Sequence, residues 1–336
     1  MHPSVGSAPG SLGAIVGPGR SGTTWAGTLV DSCPDVIYRF EPFRRMAVID
    51  MEIRTWLNRL KRQDISDSEL ARIYSSLLAA HPLTNKPPFF HKSYRMTTLC
   101  RAPLWPAARA LSAVGRLYGA VYSPAPGPPL IFKEVTFLKP TQTLVGRTSM
   151  PVVYIARHPC ATVLSEVEGQ VQAKMPSGRL QRLPSILAEN APHLAERFSD
   201  VLVDPDPVPR AALLWRFEVD FSISHVLKSA RGLVMTYEQL ISDTHDRTRQ
   251  LLAHFGLNYT IQTERFIDFL LGLRSSGKMA PRRTGWGAKY FTVYRNPREQ
   301  KDAWKSRISS DARGKINSIV KDSPAYMYCA ALGNWD

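Results

Sequence analysis

The sequence predicts an α/β protein: a P-loop-like, three-layer fold with a central, mainly parallel sheet flanked by helices. Three observations point there. Short apolar or β-branched runs alternate with helical patterns along the 336 residues, as in strand–helix repeats. Runs such as Val152-Val153-Tyr154-Ile155 are apolar without alternation, as strands covered on both faces must be. The first run, Leu12-Gly13-Ala14-Ile15-Val16, leads through a glycine-rich turn into a helix start at Trp25.

In chain order, strands are expected at 12–17, 36–40, 130–133, 152–156 and 233–236. Helices are expected at 24–32, 66–80, 161–168, 210–228, 246–255 and 264–271. A further amphipathic helix is expected over 104–122, opened by Pro103 and Pro106 and stopped by the prolines of 124–129, with Arg109 and Arg116 on one face. Residues 1–11 read as a flexible Gly/Pro/Ser arm, and 12–336 as one domain. Within it, the basic segment 70–129 reads as a lid or acceptor platform, and its 104–122 helix reads also as a contact to a membrane surface or as an ordinary packed helix.

A hydrophobic share of 44% and a charged share of 21% fit a globular chain with a substantial core. No apolar run is long enough to span a bilayer, and the start lacks a signal-peptide pattern. The four cysteines, Cys33, Cys100, Cys160 and Cys329, form no C-x-x-C or Cys/His cluster, so neither a metal nor a disulfide framework is expected. Together these predict a metal-free protein of a reducing, cytoplasmic compartment.

The net charge of +15 is concentrated. From 71 to 133 there is no Asp or Glu but eight cations: Arg72, Lys86, Lys92, Arg95, Arg101, Arg109, Arg116 and Lys133. From 269 to 298 there are seven: Arg274, Lys278, Arg282, Arg283, Lys289, Arg295 and Arg298. These two segments carry the whole excess. They imply an anionic ligand, acceptor or surface, or else a solvated basic face.

The sharpest motif is Gly17-Pro18-Gly19-Arg20-Ser21-Gly22-Thr23-Thr24-Trp25. A strand, a glycine-rich turn and a helix N-terminus form a phosphate cradle of backbone N–H groups. The spacing is that of a P-loop, but Thr23 stands where the Walker lysine would, and a cation lies three residues earlier, at Arg20. A second motif is Arg157-His158-Pro159 after the strand at 152–156, with Ser165 eight residues after Arg157. An arginine fork and a hydroxyl there clamp a second phosphate, or the arginine simply closes the strand end.

Together these elements resemble the sulfotransferase superfamily that uses 3′-phosphoadenosine 5′-phosphosulfate (PAPS). The loop from Gly19 to Trp25 looks like its 5′-phosphosulfate loop, and Arg157 with Ser165 its 3′-phosphate pair. Thr236-Tyr237-Glu238-Gln239-Leu240, before a helix ending at Phe255-Gly256-Leu257, is similar to a third family segment. The resemblance implies that Arg20, Ser21, Gly22, Thr23 and Thr24 hold the 5′ end, that Arg157 and Ser165 hold the 3′-phosphate, and that Tyr237 lies at the cofactor. Trp25 packs on adenine or in the core. Adenosine 3′,5′-bisphosphate (PAP) is the implied product, with no metal required.

The acceptor hydroxyl or amine needs a general base. Phe40-Glu41-Pro42-Phe43 resembles the carbohydrate-type subclass, which implies Glu41 as base. Its bland reading is a carboxylate paired with Arg39, Arg44 or Arg45. Lys133 matches a strand-end lysine that stabilises the transferring group, or it pairs with Glu134. The histidine that small-molecule enzymes of the superfamily carry two residues on is Val135 here. His91 is the reserve base. Late in the chain, Tyr294-Arg295-Asn296-Pro297, Trp304-Lys305 and Cys329 resemble the end of carbohydrate-type enzymes. Either Arg295 or Arg283, in a glycine-flanked basic loop, is implied as a further cofactor contact.

The expected activity is sulfuryl transfer from PAPS to a small-molecule, saccharide or glycolipid-like acceptor, which the basic segments suggest is anionic. Nucleic acid is not an expected partner. The rival readings are a P-loop small-molecule kinase, which the missing lysine disfavours, and a non-enzymatic basic module for acidic glycans or nucleic acid.

Overall fold

In the computed structural model, residues 10–94, 101–172, 178–273 and 301–335 are described. Five strands, β1 (Leu12–Val16), β2 (Ile37–Phe40), β3 (Leu130–Lys133), β4 (Val152–Ala156) and β5 (Gly232–Thr236), form one sheet in the order β2-β3-β1-β4-β5. Every pairing is parallel. All five strands fall where the apolar runs place them, to within a residue at each end.

The helices before β3 are α1 (Thr23–Asp31), α2 (Pro42–Met46), α3 (Met51–Lys61), α4 (Leu70–Leu78), α5 (Arg101–Ala110) and α6 (Ser112–Tyr122). Next come α7 (Leu138–Arg147), α8 (Pro159–Val171) and the short helices α9 (Gly178–Gln181), α10 (Leu183–Asn190), α11 (Pro192–Arg197) and α12 (Ser199–Val203). Then follow α13 (Pro207–Val226), α14 (Tyr237–Ser242), α15 (Thr244–His254), α16 (Ile261–Leu270), α17 (Ser310–Val320) and α18 (Pro324–Gly333).

Side chains alternate across a strand, and here the alternation assigns them to two cores. Ala14, Val16, Leu130, Phe132, Val152, Tyr154 and Ala156 face a large core with α3, α4, α7, α8, α13, α17 and α18. Ile15, Ile131, Val153, Ile155 and Met235 face a second core with α1, α14, α15 and α16. Burial on both faces explains why no polar alternation marks these strands. Gly13 faces the second core, where a Cβ would lie 2.8 Å from Phe255; its absence lets the end of α15 close on β1.

β2 is an edge strand, and segment 79–94 covers it. Phe40 N donates to Thr84 O at 2.8 Å, and Arg39 donates to the carbonyls of Leu77 and Leu78. Such covering removes an exposed strand edge. At the far end of the chain, Arg216 of α13, buried at 5% exposure, donates to Ile319 O and pairs with Asp322. This ties the C-terminal helices to α13.

Two expectations are corrected. The helix expected over 104–122 is two helices, α5 and α6, because Leu111 adopts an extended backbone (φ −120°, ψ 119°). The halves fold together over Ala80, Ala108, Tyr118 and Tyr122, and Gly115 permits close approach to Ala108 O. Arg109 and Arg116 therefore lie on different helices. The helix expected over 66–80 begins as a 3₁₀ turn, Asp67–Glu69, closed by a Ser66/Glu69 capping box. Its continuation, α4, packs into the main core through Ile73, Tyr74 and Leu77, so the first part of the basic segment is scaffold.

Candidate active site

The chain leaves β1 tightly packed against β4. A Cβ on Gly17 would lie 2.4 Å from Ile155 O, so only glycine fits there. Arg20 and Gly22 both take left-handed backbone, with φ 67° and 90°. Gly22 precedes α1 and presses on Tyr237, whose Cδ2 would be 2.3 Å from an added Cβ. Ser21 is fully buried and its Oγ donates to Pro18 O at 2.8 Å. That hydroxyl shapes the turn, a different use from the ligand role expected for it. Helix α1 then starts with no side-chain cap and no acid in its first turn. Its leading N–H groups and positive dipole end open at the loop, as an anion site needs.

The second motif meets this loop directly. Arg20 Nε donates to Ser165 Oγ of α8 at 2.8 Å. Arg157, just past β4, donates from Nη1 to Arg20 O at 3.3 Å and lies 4.5 Å above the Tyr237 ring. Tyr237 thus backs both Gly22 and Arg157. Trp25 is buried in the second core beside Tyr237 and Phe90. Thr23 is buried and Thr24 half-buried at the start of α1. Adjacent β1 and β4 send their chains to opposite faces, α1 into one core and α8 into the other. Ligands bind at such a switch point, outside the carboxyl ends of the strands.

Several supporting residues were not anticipated in these roles. Glu238 accepts from His158 N at 3.1 Å and from Trp335 Nε1 at 2.9 Å, fixing the backbone that carries Arg157. Burial pushes its carboxyl above the ordinary range against these bonds and Arg157. The His158 ring stacks on Trp304 at 4.3 Å, and its Nδ1 accepts from Cys160 N. Arg179 lies over Gly19, where an added Cβ would meet its Nη1 at 3.8 Å, and it pairs with Glu218 of α13. These partners come from distant segments, so no local spacing announces them.

The other half of the carboxyl edge lies at β2 and β3. Glu41 follows β2 in left-handed backbone (φ 48°, ψ 51°), and its N donates to Lys133 O at 2.7 Å. Glu41 Oε1 accepts from Lys133 Nζ at 2.7 Å, and Oε2 lies 3.2 Å from Arg45. Burial alone would raise the Glu41 pKa, but Lys133, Arg45 and Arg44 outweigh it and hold the carboxyl below its ordinary value. Lys133 thus pairs with Glu41 rather than Glu134. Glu134 turns to the start of α2, accepting from Phe43 N at 2.7 Å and Arg44 N at 3.1 Å. Burial and the Glu41 charge push Glu134 up to about 8.

Left-handed non-glycine residues thus follow three neighbouring strands: Arg20 after β1, Glu41 after β2 and Thr136 after β3. Strained backbone of this kind concentrates at functional sites. Across the edge the order is Glu41, Lys133, the loop, Arg157 and Tyr237. Neighbouring strands lie about 4.8 Å apart, so Glu41 and Arg157 belong to strands roughly 14 Å apart.

His91 is not brought to this edge. It is exposed, and its carbonyl accepts from Gln262, which also donates to Ser32 O just past the far end of α1. Arg283 and Arg295 lie outside the described residues. Among the described residues, no group of three or more His, Cys, Asp or Glu is placed to hold a metal, and no helix is long and apolar enough to cross a membrane.

No protein-family model matches the chain, and no curated protein sequence matches it. Among solved structures, it is similar to a sulfotransferase domain from the curacin biosynthetic pathway (13% identity, TM-score 0.44, covering 93% of this chain and 97% of that one). It is also similar to a mouse sulfotransferase complexed with PAP (12% identity, TM-score 0.45, 98% and 92%) and to a sulfotransferase from Mycobacterium avium (15% identity, TM-score 0.41, 94% and 78%). Function resides in the site rather than in such a likeness.

Proposed function

We propose that this protein transfers a sulfuryl group from PAPS to a hydroxyl or amine of a small-molecule or saccharide acceptor, releasing PAP. One observation carries the reading: an uncapped glycine-rich loop after β1 joins Arg157 and Ser165 through Arg20, beside a buried Lys133–Glu41 pair at the ends of β3 and β2. A donor with two anionic ends needs two cation-bearing sites on neighbouring strand ends, and an acceptor needs a base beside one of them.

Each group has a distinct task. The N–H groups of the loop, with Arg20, hold the 5′-phosphate and meet the charge that develops on it as the leaving group. Arg157 and Ser165 hold the 3′-phosphate. Lys133 neutralises the sulfonate oxygens during transfer, and Glu41 takes the acceptor proton. The bond from the acceptor oxygen or nitrogen to sulfur forms as the sulfur–oxygen bond to the 5′-phosphate breaks. Such transfer depends mainly on positioning and charge neutralisation. Ion pairing keeps Glu41 ionised at neutral pH, the state a base requires. Nothing in this scheme needs a Walker lysine.

The test is transfer of radiolabelled sulfate from PAPS across a panel of hydroxyl and amine acceptors. PAPS-dependent labelling that Glu41→Gln abolishes supports the reading. No labelling, together with no PAP binding, contradicts it.

A further inference from the structure

We infer that the acceptor carries its own anionic group, a carboxylate or a phosphate, and that Lys86 with Arg45 binds it over the Phe40 ring. This rests on the reading of the β2–β3 end as the acceptor side.

Three cations gather on one ring. Lys86 Nζ lies 3.6 Å from the Phe40 centroid, Lys133 Nζ 4.6 Å and Arg45 Cζ 4.8 Å. Lys86 is delivered by the segment covering β2, through the Phe40 N to Thr84 O bond. The nearby acids are committed elsewhere. Glu41 is held by Lys133 and Arg45, and Glu134 by the backbone of α2. No Asp or Glu occurs between Glu69 and Glu134 in the sequence. Among the described residues, Lys86 makes no ion pair with a carboxylate.

A half-buried ammonium without a counter-charge is expensive to keep. A cation–π contact offsets only part of such a cost. Burial and the cations Arg45 of α2, Lys133 of β3 and Arg109 of α5 lower the Lys86 pKa to about 7, while Glu41 opposes them. An incoming anion supplies the missing charge. A neutral acceptor of the same shape leaves Lys86 desolvated and unpaired, and sites lose affinity when a buried polar group is left unmatched. The sign of the pH effect follows. Below pH about 7 Lys86 is charged and attracts the anion. Above it, Lys86 is neutral before the anion arrives, so anion affinity falls as the pH rises.

The experiment uses calorimetry on the full chain, with and without PAP, and two matched pairs. Phenyl β-glucuronide against phenyl β-glucoside probes a carboxylate. Glucose 6-phosphate against glucose probes a phosphate. The anionic member of at least one pair should bind about ten- to a hundredfold tighter, and the pair that responds identifies the anion. Lys86→Met should erase the preference, Lys86→Arg should retain it, and PAP affinity should match wild type in both. No preference in either pair, or a preference that survives Lys86→Met, overturns the inference. Failure of PAP to bind overturns the sulfotransferase reading instead, and a Lys86-dependent preference in the free protein would outlast that failure.

Discussion

The two halves of the sheet's carboxyl edge are built differently. The β1–β4 half is made largely of backbone: a helix start without a cap, and glycines pressed on Ile155 and Tyr237. The β2–β3 half is made of long charged side chains, with Glu41 and Lys133 meeting across 92 positions of sequence. A backbone cradle suits a ligand part that never changes, as the phosphate of the proposed donor would be. A side-chain cluster over Phe40 can be retuned residue by residue without disturbing the sheet. On the proposed function, the first half takes the donor and the second the acceptor.

Substitutions in each half should break this division in different ways. The largest effect belongs to Glu41→Gln. Removing a general base typically costs about 10²–10⁴-fold in rate, and steady-state sulfation assays should show this in kcat. PAP affinity should stay at the wild-type level, because Glu41 belongs to the acceptor half. A kcat near wild type would remove Glu41 as base.

Gly22→Ala attacks the other half through its backbone. The new methyl meets the Tyr237 ring at a position already in left-handed conformation. Overpacking of this kind costs about 1–3 kcal/mol. Thermal unfolding should show that loss, and added PAP should no longer raise the midpoint. Arg157→Ala removes a charge but no backbone feature. It should weaken PAP about ten- to a hundredfold, the scale of charged hydrogen bonds, with little change in stability. A mild Gly22→Ala would shift weight from backbone to side chains in the donor half.

A smaller effect is expected from Glu238→Gln. The amide cannot accept as strongly from both His158 N and Trp335 Nε1, a loss of about 0.5–1.5 kcal/mol, visible in chemical denaturation and as a few-fold change in PAP affinity. The pH profile separates the halves as well. Glu41 is held below its ordinary value, so the catalytic rate should fall only when acid reaches that depressed range and protonates the base.

The same contrast explains what was legible in the sequence. The donor half is local: Gly17 to Trp25 form one loop and the helix start after it, and Arg157 lies at a strand end with Ser165 about two turns into the next helix, so spacing alone exposes them. The strands were equally legible, because burial on both faces leaves unbroken apolar runs. That Arg20 reaches Ser165, rather than the two motifs standing apart, depends on the order β1-β4 in the sheet, and no local pattern encodes it. Pairing of Lys133 with Glu41 instead of Glu134 was hidden for a related reason. Alternation on leaving β3 sends adjacent side chains to different partners, and the start of α2 claims Glu134. Lys86 stood out only as one of many cations in an acid-free stretch. Its position on Phe40 comes from non-local bonds of the covering segment: Phe40 N to Thr84 O, and Arg39 and Trp105 to Asn85. His91 looked like a base because its type suits the role, but its segment runs towards the opposite end of α1.

The most direct test is calorimetric titration of PAP, and of ATP with Mg²⁺, into the wild type, Arg20→Ala and Arg157→Ala. The wild type should bind one PAP per chain and prefer it clearly over ATP, and each variant should bind PAP at least about tenfold more weakly. Near-wild-type PAP affinity in both variants, or a wild type that favours ATP with Mg²⁺, would contradict the assignment of this edge to a sulfuryl donor.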